Sequence, residues 1–226
     1  MNKKYTLLSG FSLLLFVFAL PSLSLAQAFK RGSFVLSVTE GSTQSTYATG
    51  DISPNPSAES PGNQLSETGQ RDPLIIEYGI SNRWGIGSSW GNDIYSVNPN
   101  TFYGFSNSGT NVKAKTSEYT IDGSFHFLVT RRADFALVAS AGTFSVAMKG
   151  GNSDYSYSYN SNGALVRMGV RTRYYFWRRL GVTSMGTLFS GSASPKGVND
   201  VTVGKTTATH IKGSSVEFGL CYRIFR

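Results

Sequence analysis

After about residue 30 the chain repeatedly alternates apolar and polar residues with a period of two, the spacing of a β-strand whose two faces meet unlike surroundings. In Ser33 to Thr39, Phe34, Leu36 and Val38 share one face and Val35, Ser37 and Thr39 the other. Leu74 to Ile80 sets Leu74, Ile76, Tyr78 and Ile80 against Ile75, Glu77 and Gly79, and Trp84 to Trp90 sets Trp84, Ile86 and Trp90 against Gly85, Gly87 and Ser89. Glu118 to Val129 places Tyr119, Ile121, Phe125, Phe127 and Val129 opposite Thr120, Asp122, Ser124 and His126. In Ala164 to Phe176, Val166, Met168, Val170, Tyr174 and Phe176 oppose Arg167, Gly169, Arg171 and Arg173. Val216 to Ile224 puts Val216, Phe218, Leu220, Tyr222 and Ile224 against Glu217, Gly219, Cys221 and Arg223. Phe135 to Val146 and Leu180 to Gly191 are strand-like with less regular alternation, which brings the candidates to eight.

The connections have their own rhythm. Long polar stretches (Gly41 to Asp72, Asn92 to Lys115, Ala147 to Gly163, Ser192 to Gly213) alternate with short ones (Ser81 to Arg83, Thr130 to Asp134, Trp177 to Arg179). Long loops on one side and tight turns on the other are the rhythm of an up-and-down barrel in an outer membrane, with both termini on the periplasmic side. Pro54, Pro56, Pro61, Pro99 and Pro195 fall in the long stretches and Pro73 at a strand start, so no ladder is interrupted.

The rival architecture is a soluble sandwich or lipocalin-like barrel, with apolar side chains inside. Three features favour lipid outside. The apolar faces run for about nine to eleven residues, the length of a tilted membrane strand. Their short-turn ends carry Trp84, Phe127, Phe135, Phe176 and Trp177, which suit an interface belt. The short turns carry Arg83, Arg131, Arg132, Arg178 and Arg179, placed to reach lipid headgroups. The opposite faces would then line the lumen. There Glu77, Glu118, Asp122, Arg167, Arg171, Arg173, Glu217 and Arg223 form a candidate network of ion pairs, since unpaired charges would be costly.

The start of the chain fits this destination. Lys3 and Lys4 precede an apolar run from Leu7 to Leu20, and Pro21 and small residues follow. Ser24-Leu25-Ala26 and Ala26-Gln27-Ala28 both satisfy the small-x-small rule, so we expect a secretory leader over 1–28, cleaved after Ala26 or Ala28, and a single barrel domain over 29–226. The apolar run is too short for a comfortable spanning helix, and no second run of about 18 residues exists, so a helical membrane bundle is excluded. Aromatic residues are 13% of the chain against 15% charged, which excludes a disordered chain. The single cysteine, Cys221, rules out an internal disulfide framework. The formal charge of +8 is spread along the sequence and forms no stripe for nucleic acid.

The last strand carries the most specific motif. Glu217-Phe218-Gly219-Leu220-Cys221-Tyr222-Arg223-Ile224 has the pattern polar-x-Gly-x-x-aromatic-x-hydrophobic, followed by Phe225 and a terminal Arg226. The chain thus resembles the small outer-membrane β-barrel proteins of Gram-negative bacteria, the OmpA/OmpX-like group and the related porin-family barrel domains. The resemblance covers the whole mature chain as a pattern and is motif-specific only here. It implies an eight-stranded antiparallel transmembrane barrel in the outer membrane. It also implies an assembly signal (Gly219, Tyr222, Ile224, Phe225) read by the barrel-assembly machinery, whose family form ends on an aromatic residue; Arg226 departs from that form.

For function, an eight-stranded lumen is just filled by side chains. We therefore expect a monomer with a structural or surface-interaction role, its partners being outer-membrane lipids and an extracellular ligand of unknown identity. Asn152 to Asn162, rich in Ser, Asn and Tyr, suits either adaptable recognition or an outer interface belt. The alternative is a narrow passage for ions or small solutes, favouring anions because arginines line it. An enzyme is a third class. Asp122 and His126 lie four residues apart on one strand, about 13 Å, too far for contact, and no Ser-His-acid set can be assembled. No cofactor motif or His/Cys metal cluster is legible.

Overall fold

A computed structural model describes residues 28–49, 64–97, 112–151, 156–198 and 209–224. Among them there is no helix, and nine strand segments follow in order: β1 (Phe34–Thr49), β2 (Gln64–Arg71), β3 (Leu74–Gly79), β4 (Trp84–Val97), β5 (Val112–Val129), β6 (Ala133–Gly151), β7 (Ser156–Tyr175), β8 (Leu180–Val198) and β9 (Thr209–Ile224). Segments β2 and β3 are one stave. Both pair with β1 on one side and β4 on the other, and only Asp72-Pro73 separates them. Pro73 has no N–H to give to a ladder. The neighbours close the gap: Thr39 N–H donates to the Pro73 carbonyl at 3.1 Å and Asp72 N–H to the Asn92 carbonyl at 3.2 Å. From β3 onward each strand pairs antiparallel with the next, and β9 returns to β1 along its full length, from Phe34↔Ile224 to Thr49↔Thr209. The result is a closed up-and-down ring of eight staves, which leaves no sheet edge unpaired.

Burial decides which face is which. The apolar faces point out: Val38, Ile80, Trp90, Ile121, Phe218 and Leu220 are all exposed, and Met168 and Leu188 reach 67% and 69% exposure. The charged faces point in: Arg71, Glu77, Glu118, Arg167, Arg171, Arg173 and Glu217 are buried. A soluble barrel has the reverse arrangement. An apolar outside around a polar inside is the sidedness of a membrane barrel.

The strands are longer than the apolar alternation that signals them. The long stretches expected as loops are in good part strand: 41–49 and 64–71 extend the first hairpin, and 92–97, 112–115, 147–151, 156–163, 192–198 and 209–213 extend the others. The cause is a change of solvent. The outward positions of β5 run Phe127, Phe125, Gly123, Ile121, Tyr119 and then Ser117 and Lys115; those of β9 run Ile224, Tyr222, Leu220, Phe218, Val216 and then Ser214 and Lys212. Above the apolar band the outer face meets water, so the strands continue without an apolar partner face. The 18 residues of β5, at about 3.4 Å each and tilted about 40°, rise about 45 Å, against an apolar band about 25 Å tall. The barrel therefore stands above the band as a polar collar.

Two local expectations change accordingly. Pro195 is within β8, opposite Ser161, where the β7 register shifts between Asn160 and Ser161; a bulge is where a strand tolerates the missing donor. His210, inside the stretch from Ser192 to Gly213 read as a long connection, is an exposed residue of β9.

Candidate functional site

The lumen is where the sequence gathers its chemistry, and among the described residues it holds layer upon layer of buried side chains. At the short-turn end the segment before β1 folds across the mouth. Lys30 to Ser33 form a turn closed by Ser33 N–H to the Lys30 carbonyl at 3.0 Å, with Gly32 at φ 80°, a conformation side-chain-bearing residues rarely adopt. Gly32 N–H donates to the Gly79 carbonyl and Gly79 N–H to the Ser33 carbonyl, each at 2.8 Å. Ala28 N–H donates to the Thr130 carbonyl at 2.7 Å. Ala28 and Phe29 are thereby fully buried, and Ala28 clusters with Val35, Tyr175 and Cys221. The Phe29 ring lies flat on His126, 3.5 Å between centroids and 9° between planes.

Above this stopper lies the first charged layer, centred on Glu77 of β3. Its carboxylate accepts from Arg171 Nη2 at 2.6 Å and from the Ser124 hydroxyl, and lies 2.5 Å from Arg173 Nη1. His126 stands between two acids: Nε2 is 3.1 Å from Glu77 Oε1, and Nδ1 is 2.6 Å from Asp134 Oδ1. Arg173 Nη1 also reaches Asp134 Oδ2 at 3.4 Å. Arg223 sits below, over the Tyr175 ring at 4.1 Å, and donates to the carbonyls of Ala28 and Arg178.

The second charged layer is built on Arg71. Its guanidinium meets three carboxylates: Asp93 at 3.2 Å, Glu217 at 2.7 Å and Glu118. Arg167 completes the set, 2.6 Å from Glu118 and 3.8 Å from Glu217, and donates to the Thr187 hydroxyl at 3.1 Å. Glu217 also accepts from Ser215 at 2.9 Å and Thr39 at 3.2 Å. Arg167 lies under the Phe189 ring at 5.0 Å, and there the lumen turns apolar, with Phe144, Val146, Leu165 and Ile211 all buried. Gly191 makes this possible, because a Cβ there would meet the Phe144 ring at 2.7 Å and Ile211 at 3.1 Å.

Of the eight residues singled out for a lumen network, Glu77, Glu118, Arg167, Arg171, Arg173 and Glu217 are in ion pairs. Arg223 holds backbone carbonyls and an aromatic face. Asp122 faces inward but accepts from the Thr120 hydroxyl at 2.7 Å and has no ion-pair partner among the described residues. Sequence reasoning missed Arg71, Asp93 and Asp134. The first two lay in stretches read as loops and the third in a turn. Stepping by two from Ile75 through Pro73 reaches Arg71, and from Ser89 through Gly91 reaches Asp93, so parity continued past the apolar band finds both.

The candidate interface aromatics gather at the short-turn end. Trp84, Phe127, Phe176 and Trp177 are exposed and Phe135 is half-buried. Phe127 and Phe135 pair at 6.3 Å, Phe176 and Trp177 at 5.2 Å. In the candidate assembly signal Gly219 faces inward, Tyr222 and Ile224 point out, and Phe225 lies outside the described residues, as do residues 1–27, where a leader is expected.

Ser124, His126 and Asp134 have the connectivity of a nucleophile relay, Ser124 Oγ being 3.1 Å from His126 Nε2. The chemistry differs. The serine hydroxyl is engaged by Glu77, both ring nitrogens face carboxylates, Phe29 covers the ring, and all three residues are buried. A nucleophilic serine needs a free hydroxyl beside a neutral, accepting imidazole and room for a carbonyl. Among the described residues no acid, histidine and cysteine group is arranged to hold a metal.

A closed ring of eight antiparallel staves, apolar outside and charged inside, defines the small outer-membrane β-barrel class. Solved barrels of that class are similar to it. The outer-membrane protein AlkL, determined in lipid bilayers, superposes with a TM-score of 0.56 over 92% of this chain and 96% of its own, at 12% identity. OprG from Pseudomonas aeruginosa gives 0.53 over 88% and 98% at 13% identity. Ail of Yersinia pestis, in complex with the heparin analogue sucrose octasulfate, gives 0.52 over 86% and 99% at 15% identity. No family model and no curated protein matches the sequence.

Proposed function

We propose that this chain is exported by a leader cleaved after Ala26 or Ala28, is assembled into the outer membrane as a monomer, and works through its outer surface rather than its interior. The observation that carries this reading is the filled lumen. Two layers of paired charge, an apolar layer above them and the Ala28–Phe29 stopper below stand across any axial path. Buried ion pairs are weak sources of net stability, but separating their partners is strongly unfavourable, so this filling does not open by thermal fluctuation alone. What is left for interaction is the polar collar.

A narrow passage is the second reading, and planar bilayers separate the two. The folded protein should be silent at physiological salt; reproducible single-channel steps would overturn the closed-lumen reading. Location is tested by fractionation: the protein should enter the outer-membrane fraction and migrate faster on gels unheated than boiled, whereas full recovery from the periplasm would contradict it. For the enzyme reading, a fluorophosphonate probe should leave Ser124 unlabelled.

A further inference from the structure

His126 is the one lumen group whose charge the fold itself selects. Its Nδ1 faces Asp134 Oδ1 at 2.6 Å and its Nε2 faces Glu77 Oε1 at 3.1 Å. A carboxylate only accepts, so a ring that serves both acids carries a proton on each nitrogen. The Ser124 hydroxyl, 3.1 Å from Nε2, does not compete for that role because it is itself engaged with Glu77.

The described buried charges point the same way. Among the described residues the buried acids are Glu77, Asp93, Glu118, Asp122, Asp134 and Glu217, and the buried arginines are Arg71, Arg167, Arg171, Arg173 and Arg223, so acids outnumber guanidiniums there and a cation at His126 is favourable. The groups packed around it are Glu77 of β3, Asp134 of β6, Ser124 of its own strand, and Arg171 and Arg173 of β7 behind the two acids, with Phe29 on its face. An imidazolium against an aromatic face is attractive in addition.

We propose that His126 is held as an imidazolium between Asp134 and Glu77, and that this proton locks the Ala28–Ser33 segment into the short-turn mouth. This proposal builds on the closed-lumen reading, yet the two fail separately: conductance tests the lumen, the ring spectrum tests the proton.

The experiment is nitrogen-15 NMR of the His126 ring in the full mature protein in detergent micelles, with amide exchange over Ala28–Ser33 compared between the wild type and His126→Gln. At pH 7 His126 should show two protonated ring nitrogens, and the Ala28–Ser33 amides should exchange faster in His126→Gln. A singly protonated His126 ring at pH 7, or equal exchange over that segment in the two proteins, would overturn the proposal. If His126→Gln does not fold, the wild-type ring spectrum decides alone.

Discussion

Arg71 meets three carboxylates, which makes it a consequential single residue. It sits at 1% exposure with Asp93, Glu118 and Glu217 around it. Replacing it with leucine leaves Glu118 and Glu217 with Arg167 as their ion-pair partner among the described residues. Breaking a buried pair from one side costs about 3–5 kcal/mol, so Arg71→Leu should lower unfolding free energy in micelles by at least that much or prevent folding. Asp122→Asn is the contrast. Asp122 is held by one hydroxyl, so the substitution keeps an acceptor and should cost about 1 kcal/mol or less. Equal losses for the two would mean that the second charged layer is not organised on Arg71. In the apolar layer, Phe144→Ala should cost about 3–5 kcal/mol by leaving a cavity over Gly191.

Strands display a different logic, because each is read by two solvents on one face and by a packed interior on the other. On β9 the outward series changes from Val216 to Ser214 and Lys212 at the edge of the apolar band. Arginine at Leu220, in the middle of the band, should cost about 2–4 kcal/mol of folding free energy in bilayers, whereas Ser214→Arg should cost about 0–1. Urea titrations in vesicles measure both; equal costs would contradict the assigned depth. The same two-solvent reading explains what the sequence reveals. Alternation was legible where lipid demands it, as in Val216 to Ile224 and Val166 to Tyr174, and those segments, their inward charges and the short turns are found where expected. It was not legible in 41–49 or 64–71, where Ser, Thr and Gln serve a wet outer face and the ladder alone holds the strand. The partners of His126 were hidden for another reason. Asp134 and Glu77 come from β6 and β3, and such meetings depend on ring closure and register, which spacing along one strand does not encode.

At the scale of the whole molecule, the filling and the closure belong together. The first described strand meets the last along sixteen register pairs, so the ring is complete only when residues 209–224 are in place. That closing strand brings Glu217, which lies against both Arg71 and Arg167, and Arg223, which takes the Ala28 carbonyl. Before closure the lumen lacks an acid at its centre and the N-terminal segment lacks one of its anchors. The consequence is kinetic. The chain must hold seven staves in register while the lumen is still incomplete, and bringing its two ends together carries the largest loop-closure entropy in the fold. A barrel built this way should assemble slowly and late rather than strand by strand, with the final hairpin acting as the latch. Truncation before Glu217 should therefore give an open sheet exposed to proteases, not a smaller barrel.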